Sequence, residues 1–126
     1  MPILVPVSVG ELFDKISILE LKEAAIADPD KRANVRRELA ALDAVRLGEV
    51  APSAELATLY DELRGVNQRL WDIEDAVRAH ERAGNFDARF IELARGVYRE
   101  NDRRAALKRQ INELTGSEIV EEKSYR

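Results

Sequence analysis

The chain has 126 residues, of which 45% are hydrophobic and 35% charged, a size and composition typical of one helical domain. It has no cysteine and one histidine, which excludes disulfides, thiol nucleophiles and zinc sites built on thiolate or imidazole clusters, and leaves magnesium on carboxylates as the remaining metal chemistry. The formal net charge of −4 disfavours a dedicated binder of nucleic acid or of anionic membranes.

Residues 1–7 are predicted to form an extended N-terminal arm. Pro2 and Pro6 disfavour a helix there, and the aliphatic residues between them favour a strand-like segment packed on another part of the protein. The arm lacks the basic residues of a signal peptide and is too short to span a membrane. We therefore expect no membrane insertion and a cytoplasmic location.

Two helices are predicted in the first half of the chain from their capping residues. Ser8 and Glu11 form a capping box that begins a helix over 9–27. The Asp-Pro pair that follows supplies the N-cap and the first residue of a second helix, over 29–47. Gly48 is expected to end that helix.

Two longer helices are predicted in the second half, over 54–83 and 87–115. Ser53 caps the first of them, and Gly116 ends the second. The first carries a heptad seam, which predicts coiled-coil-like packing along its length. The seam consists of Leu56, Leu59, Leu63, Val66, Leu70, Ile73, Val77 and His80.

The tail over 117–126 leaves two alternatives open: Ser117 caps one more helical turn, or Ile119 and Val120 pair with the arm. The predicted fold is all-α, a single domain over 1–126 in which a short hairpin joins a long coiled-coil-like hairpin. Because the long hairpin reaches beyond the short one, part of its seam should stay exposed. An exposed apolar stripe predicts a homodimer through the seam of helices 3 and 4, and another protein partner is left open.

Six polar residues are the candidate site, because helical geometry places them on or beside apolar faces. In an antiparallel hairpin that turns near Asn85, Arg104 lies level with Asn67. The set can be a buried network that fixes helix register, or a pocket in which cations bind an anionic small molecule. Structural ion pairs are the commoner case, which favours the network. The candidate residues are Glu20, Asn67, Glu74, Asn101, Arg104 and Lys108.

Several enzyme signatures are absent from the sequence. It has no GxxxxGK[ST] loop, no GxGxxG turn, no HExxH pair and no DxDxDG loop. We therefore predict no cofactor, no metal ligands and no identifiable catalytic residue. Arg95, Arg99 and Arg103 form a stripe on one helix face, but acidic residues interleave with them, so a solvated face is favoured over a nucleic-acid interface.

Four stretches resemble a family of small bacterial proteins catalogued only as a domain of unknown function. They are PVSVGELFDKISILELK (6–22), LWDIED (70–75), FIELARGVYRENDRRAALKRQIN (90–112) and EIVEEKSY (118–125). The resemblance implies no catalytic residues, and it links the chain by association to cell-surface polysaccharide assembly. It directs attention to polar residues of the first and third stretches: Asp14, Lys15, Glu20, Lys22, Asn101, Asp102, Arg103 and Arg104.

Two functional hypotheses follow. The first is a non-enzymatic interaction or scaffold protein, motivated by the seam and by the missing catalytic signatures. The second is an anion-binding protein or enzyme with an Arg/Lys pocket between helices. The segment LYDELRGVNQRLWDIED is similar in character to small helical chorismate mutases, which is a fold-level analogy only. Arg104→Ala separates the hypotheses, because only a buried network should lose much stability.

Overall fold

The computed structural model describes residues 2–125 and contains four helices in that range. The helices are α1 (Val9–Ala25), α2 (Pro29–Glu49), α3 (Ala54–Ala83) and α4 (Ala88–Thr115). No strand occurs among the described residues, and the predicted all-α fold class is confirmed. Met1 of the predicted arm and Arg126 of the predicted tail lie outside the described residues.

Each helix begins at a residue whose side chain caps it. Ser8, Asp28, Ser53 and Asp87 each accept a hydrogen bond from the backbone N–H three residues further on, at 3.0 or 3.1 Å. These bonds satisfy amide groups that a helix leaves without an internal partner. Because Asp87 is the cap, α4 begins one residue later than predicted.

The ends of the first two helices differ from the prediction. α1 stops at Ala25 because Ile26 has an extended backbone, with φ −82° and ψ 123°, just ahead of the Asp-Pro start of α2. The prediction that Gly48 ends α2 is wrong, since the helix passes through it to Glu49. Gly48 does not take the left-handed conformation that makes glycine a helix terminator.

The helices α3 and α4 form an antiparallel hairpin. Arg69 of α3 pairs with Glu100 of α4 at 3.1 Å, and nearer the turn the rings of His80 and Phe90 lie 6.0 Å apart. α1 is the central helix, because it packs against α2 and against both helices of the hairpin. This central position explains why more of its residues are buried than those of any other helix.

The hydrophobic core lies where the first half of α1 meets the hairpin. Val35 is the only buried residue of α2, so that helix covers α1 and adds little to the core. The seam of α3 is mostly used within the chain: Leu56, Leu63 and Val66 are buried and its other residues are half-buried. The homodimer through this seam stays a prediction. The buried core cluster is Phe13, Leu56, Leu63, Val66, Leu107 and Ile111.

The arm and the tail depart from the sequence expectations. The arm over 2–7 has no regular structure and its side chains are exposed, so the prediction that it packs on the protein is wrong. Neither alternative for the tail occurs in the described residues. Instead, Ser117 Oγ accepts a hydrogen bond from the N–H of Val9 at 3.1 Å and donates to the carbonyl oxygen of Ile119 at 2.8 Å.

Candidate functional site

A stripe of small and polar residues on α1 brings α4 unusually close. Gly10 donates its N–H to Asn112 Oδ1 at 2.6 Å, and a Cβ at Gly10 would collide with the carbonyl oxygen of Lys108. Asp14 and Ser17 follow Gly10 on the same face, and both are 0% exposed. The close approach therefore places a buried carboxylate beside the cations of α4.

Asp14 is the centre of a buried polar network. Arg104 donates from Nε to both carboxylate oxygens, at 2.9 and 3.1 Å, and its Nη2 forms a further bond to Oδ2. Asn67 Nδ2 donates to Asp14 Oδ1 at 2.9 Å and to Ser17 Oγ at 2.7 Å. A buried charge is tolerated when it is paired and hydrogen-bonded in this way. The hydrogen bonds to Asp14 raise the pKa of Arg104, outweighing the opposite effect of burial.

Lys108 extends the network toward the surface. Its Nζ lies 2.6 Å from Glu11 Oε2, 2.9 Å from Glu121 Oε2 and 4.0 Å from Asp14 Oδ2. Burial by itself lowers the pKa of Lys108, but the hydrogen bonds to Glu11 and Glu121 outweigh it and raise the pKa above its ordinary value. Lys108 therefore stays charged and joins α1, α4 and the tail.

The structure brings together part of the predicted candidate set. Asn67, Arg104 and Lys108 meet around Asp14, and the predicted level of Asn67 with Arg104 is what allows one carboxylate to contact both. The Asn101 side chain forms no hydrogen bond within residues 2–125, although it lies beside Arg104 in two grooves.

Glu20 and Glu74, the two acidic residues of the candidate set, do not bond to these cations. Glu20 accepts a hydrogen bond from the Tyr60 hydroxyl at 2.5 Å and pairs with Arg64 at 3.2 Å. Glu74 pairs with Arg78 on the surface at 2.9 Å.

The counter-ions that the candidate set lacked are Asp14 and Glu11, although the resemblance of the first stretch had directed attention to Asp14. A signal for Asp14 was present, since Gly10, Asp14, Ser17 and Leu21 are spaced by four, three and four residues, which puts them on one helix face. A glycine and a leucine at the two ends of such a stripe indicate a packed face.

Two grooves lie on either side of Arg104. The first, here called the α4 groove, has a volume of about 880 Å³ and lies between α4, the tail and Glu11. The second, of about 430 Å³, lies between α1, α3 and α4 and includes Trp71. The polar and aromatic lining of the α4 groove includes Tyr98, Asn101, Arg104, Lys108, Lys123 and Tyr125.

The pair of Tyr60 and Glu20 predicts a loss of stability at alkaline pH. Burial raises the pKa of Tyr60 well above its usual 10.0, and the hydrogen bond to Glu20 raises it further. A phenol with a raised pKa in the folded state stabilises the fold fully below pH 10. That contribution falls as the pH rises above 10, because the unfolded chain loses the proton first.

We therefore expect the unfolding midpoint of the wild type to fall more steeply above pH 10 than that of Tyr60→Phe. Thermal melts at a series of pH values measure this difference. Comparison with Tyr60→Phe is needed because Lys108, whose raised pKa acts in the same range, is common to both proteins. Parallel curves for the two proteins would contradict the prediction.

Within residues 2–125, no three His, Asp or Glu side chains are arranged to hold a metal ion. No helix in the same range combines the length and the hydropathy needed to cross a membrane.

Comparison with known proteins gives one match. The search of curated proteins and the search of solved structures each returned none. A model described as a family of unknown function, DUF6165, matches residues 3–126, a span that contains the arm, all four helices and the described tail. The chain therefore belongs to this family of unknown function, as the resemblance of its four stretches predicted.

Proposed function

We propose that this protein is a non-enzymatic interaction module that self-associates through its N-terminal arm. The observation that supports this is the exposure of three consecutive aliphatic side chains, Ile3, Leu4 and Val5, which are 90%, 88% and 68% exposed. Clustered apolar residues left open to water are typical of interaction sites. Burying a side chain of this kind is worth about 1.5–3 kcal/mol, so each arm can contribute substantially to binding.

The first residues of α1, to which the arm is attached, are held by α4 and the tail. The N–H of Val9 donates to Ser117 and the N–H of Gly10 donates to Asn112. Pro2 and Pro6 restrict the backbone on each side of the aliphatic residues. Because a restricted segment loses less conformational entropy when it docks, such an arm is suited to binding.

The same chain carries a cleft that suits aliphatic side chains. It has a volume of about 220 Å³ and lies where the end of α2 and the α2–α3 connection approach α1 and α3. We propose that the arm of one copy enters this cleft in a second copy. A two-fold dimer makes the contact twice and closes without further growth. The apolar lining is Phe13, Leu47, Val50, Pro52, Leu56, Ala57 and Tyr60.

Sedimentation velocity over a wide range of protein concentration tests this proposal. We expect the wild type to form a dimer, and a variant with Ile3→Ser and Leu4→Ser to be a monomer that keeps the helical content of the wild type, since both side chains are exposed within one chain. Ala57→Phe fills the cleft from its edge and should also give a monomer. Ile91→Ser removes an exposed aliphatic side chain from α4 and is the matched control.

A wild type that stays monomeric at every concentration would contradict self-association. A dimer that persists in both variants would contradict dimerisation through the arm. It would favour a dimer interface at the seam of α3 and α4, where Ile73 and Val77 are half-buried. The link to cell-surface polysaccharide assembly stays a prediction.

A further inference from the structure

The α4 groove contains two cations whose charged groups lie side by side. Arg104 and Lys108 both contact Asp14 Oδ2, which brings a guanidinium and an ammonium to the same carboxylate oxygen. Arg104 uses Nε and Nη2 for Asp14, while its Nη1 donates to no residue among 2–125. The Lys108 side chain is 12% exposed, and both residues line the groove. One anionic group in the groove can therefore reach both residues.

An anion from the tail already sits at this position. The Glu121 carboxylate lies 2.9 Å from Lys108 Nζ and is itself a lining group of the groove. Among residues 2–125 it is the one acidic partner of Lys108 that does not come from α1. Glu121 thus shows where an external carboxylate or phosphate group would bind.

The contacts that hold the tail are of a kind that exchanges readily. Apart from the hydrogen bond at Ser117 and the contact of Glu121, they are the ion pairs of Glu122 with Arg109, at 3.2 Å, and of Lys123 with Asp102, at 3.0 Å. Exposed ion pairs of this type contribute little net free energy in water. The apolar side chains of the tail stay exposed rather than burying surface against α4; they are Ile119, Val120 and Tyr125.

The remaining lining of the groove suits a ring next to the anion. Tyr98 and Tyr125 both line it and both are exposed. A neighbouring cation lies over one face of each ring, 5.9 Å from the Tyr98 centroid and 5.3 Å from the Tyr125 centroid, which leaves the opposite face for stacking. Asn101 lies between Tyr98 and Arg104 along α4 and has no hydrogen-bond partner within residues 2–125. A volume of about 880 Å³ is in the range of small-molecule sites.

We infer that the α4 groove binds a phosphate ester carried on a ring, and that the C-terminal tail is its displaceable internal ligand. Phosphate oxygens accept from Lys108 Nζ and Arg104 Nη1 in place of Glu121, and the ring stacks on Tyr98. The exchange replaces one anion by another, so Lys108 keeps an anionic partner. A phosphate outcompetes the Glu121 carboxylate because it carries more charge and more acceptor oxygens.

This site is independent of the proposed self-association, and calorimetric titration tests it directly. AMP, inorganic phosphate and adenosine are titrated separately into the wild type, Glu121→Gln and Glu122→Gln. We expect saturable binding of AMP, weaker binding of phosphate and none of adenosine. Glu121→Gln should bind AMP about fivefold more tightly, because a competing ion pair at the upper end of the usual range is removed. Glu122→Gln removes an ion pair that also holds the tail but no anion from the groove, so it should tighten AMP binding by less than Glu121→Gln does.

A further variant tests the ring contact without touching the buried network. Tyr98→Ala changes an exposed side chain, so the melting temperature should stay the same. The variant should bind AMP more weakly than the wild type and inorganic phosphate with the same affinity. The inference is overturned if AMP shows no saturable binding to either the wild type or Glu121→Gln. It is also overturned if adenosine binds as well as AMP, or if Glu121→Gln and Glu122→Gln have the same affinity.

Discussion

Replacing Arg104 by alanine should lower the free energy of unfolding by about 3–5 kcal/mol, because it leaves the carboxylate of Asp14 buried without its main counter-charge. Asp14 is 0% exposed and is bound on two sides by the guanidinium of Arg104 and the amide of Asn67. Lys108, at 4.0 Å, is too far to take over the hydrogen bonds of Arg104. Urea unfolding of the wild type and the variant measures the difference.

Two further variants show whether the loss comes from the buried charge. Arg103→Ala removes the neighbouring arginine, which is exposed and pairs with Glu100, and should cost less than about 0.5 kcal/mol. Adding Asp14→Asn to Arg104→Ala should restore part of the stability, since a neutral amide needs no counter-charge. A loss below about 1 kcal/mol for Arg104→Ala would show that the network contributes little to the fold.

Gly10→Ala should destabilise the protein by about 2–3 kcal/mol, a large effect for the smallest of substitutions. The added Cβ collides with the backbone carbonyl oxygen of Lys108 and lies 3.0 Å from Asn112 Oδ1. Backbone cannot rotate out of the way, so α1 and α4 must separate. Separation stretches the hydrogen bond from the Gly10 N–H to Asn112 and weakens the contacts of Asp14 with Arg104.

The expected effect is opposite in sign to the usual effect of replacing glycine by alanine in a helix. Alanine is favoured over glycine in a helix interior by about 1 kcal/mol, so replacing a glycine that has no packing role should stabilise the protein. Gly65→Ala on α3 is the matched control, because its Cβ would meet only the mobile end of Arg69, at 3.6 Å. We expect opposite signs for the two variants in chemical unfolding. If Gly10→Ala is stabilising as well, the close contact of α1 with α4 is not needed.

Local sequence determined the helices of this protein. Capping at Ser8, Asp28 and Ser53 is a matter of a few neighbouring residues, and all three caps occur where they were predicted. The bounds of α3 agree with the prediction over 54–83, since its cap and its period-seven seam are both local signals. The length of the turn between α3 and α4 then set the hairpin register, which is why Asn67 and Arg104 were expected to lie at the same level.

Only the tertiary structure decided which polar groups meet and which surfaces stay open. α1 carries several carboxylates, and which of them faces Arg104 depends on how that helix is rotated between three others, a property of packing rather than of local pattern. A glycine that lets two backbones touch made Asp14 the partner in place of Glu20 or Glu74. The same holds for the arm and the tail, whose contacts are not determined by local sequence. Local preference makes the arm extended but does not fix what the arm or the tail contacts, so long-range contacts determine that the tail is paired with α4 and that the arm is exposed.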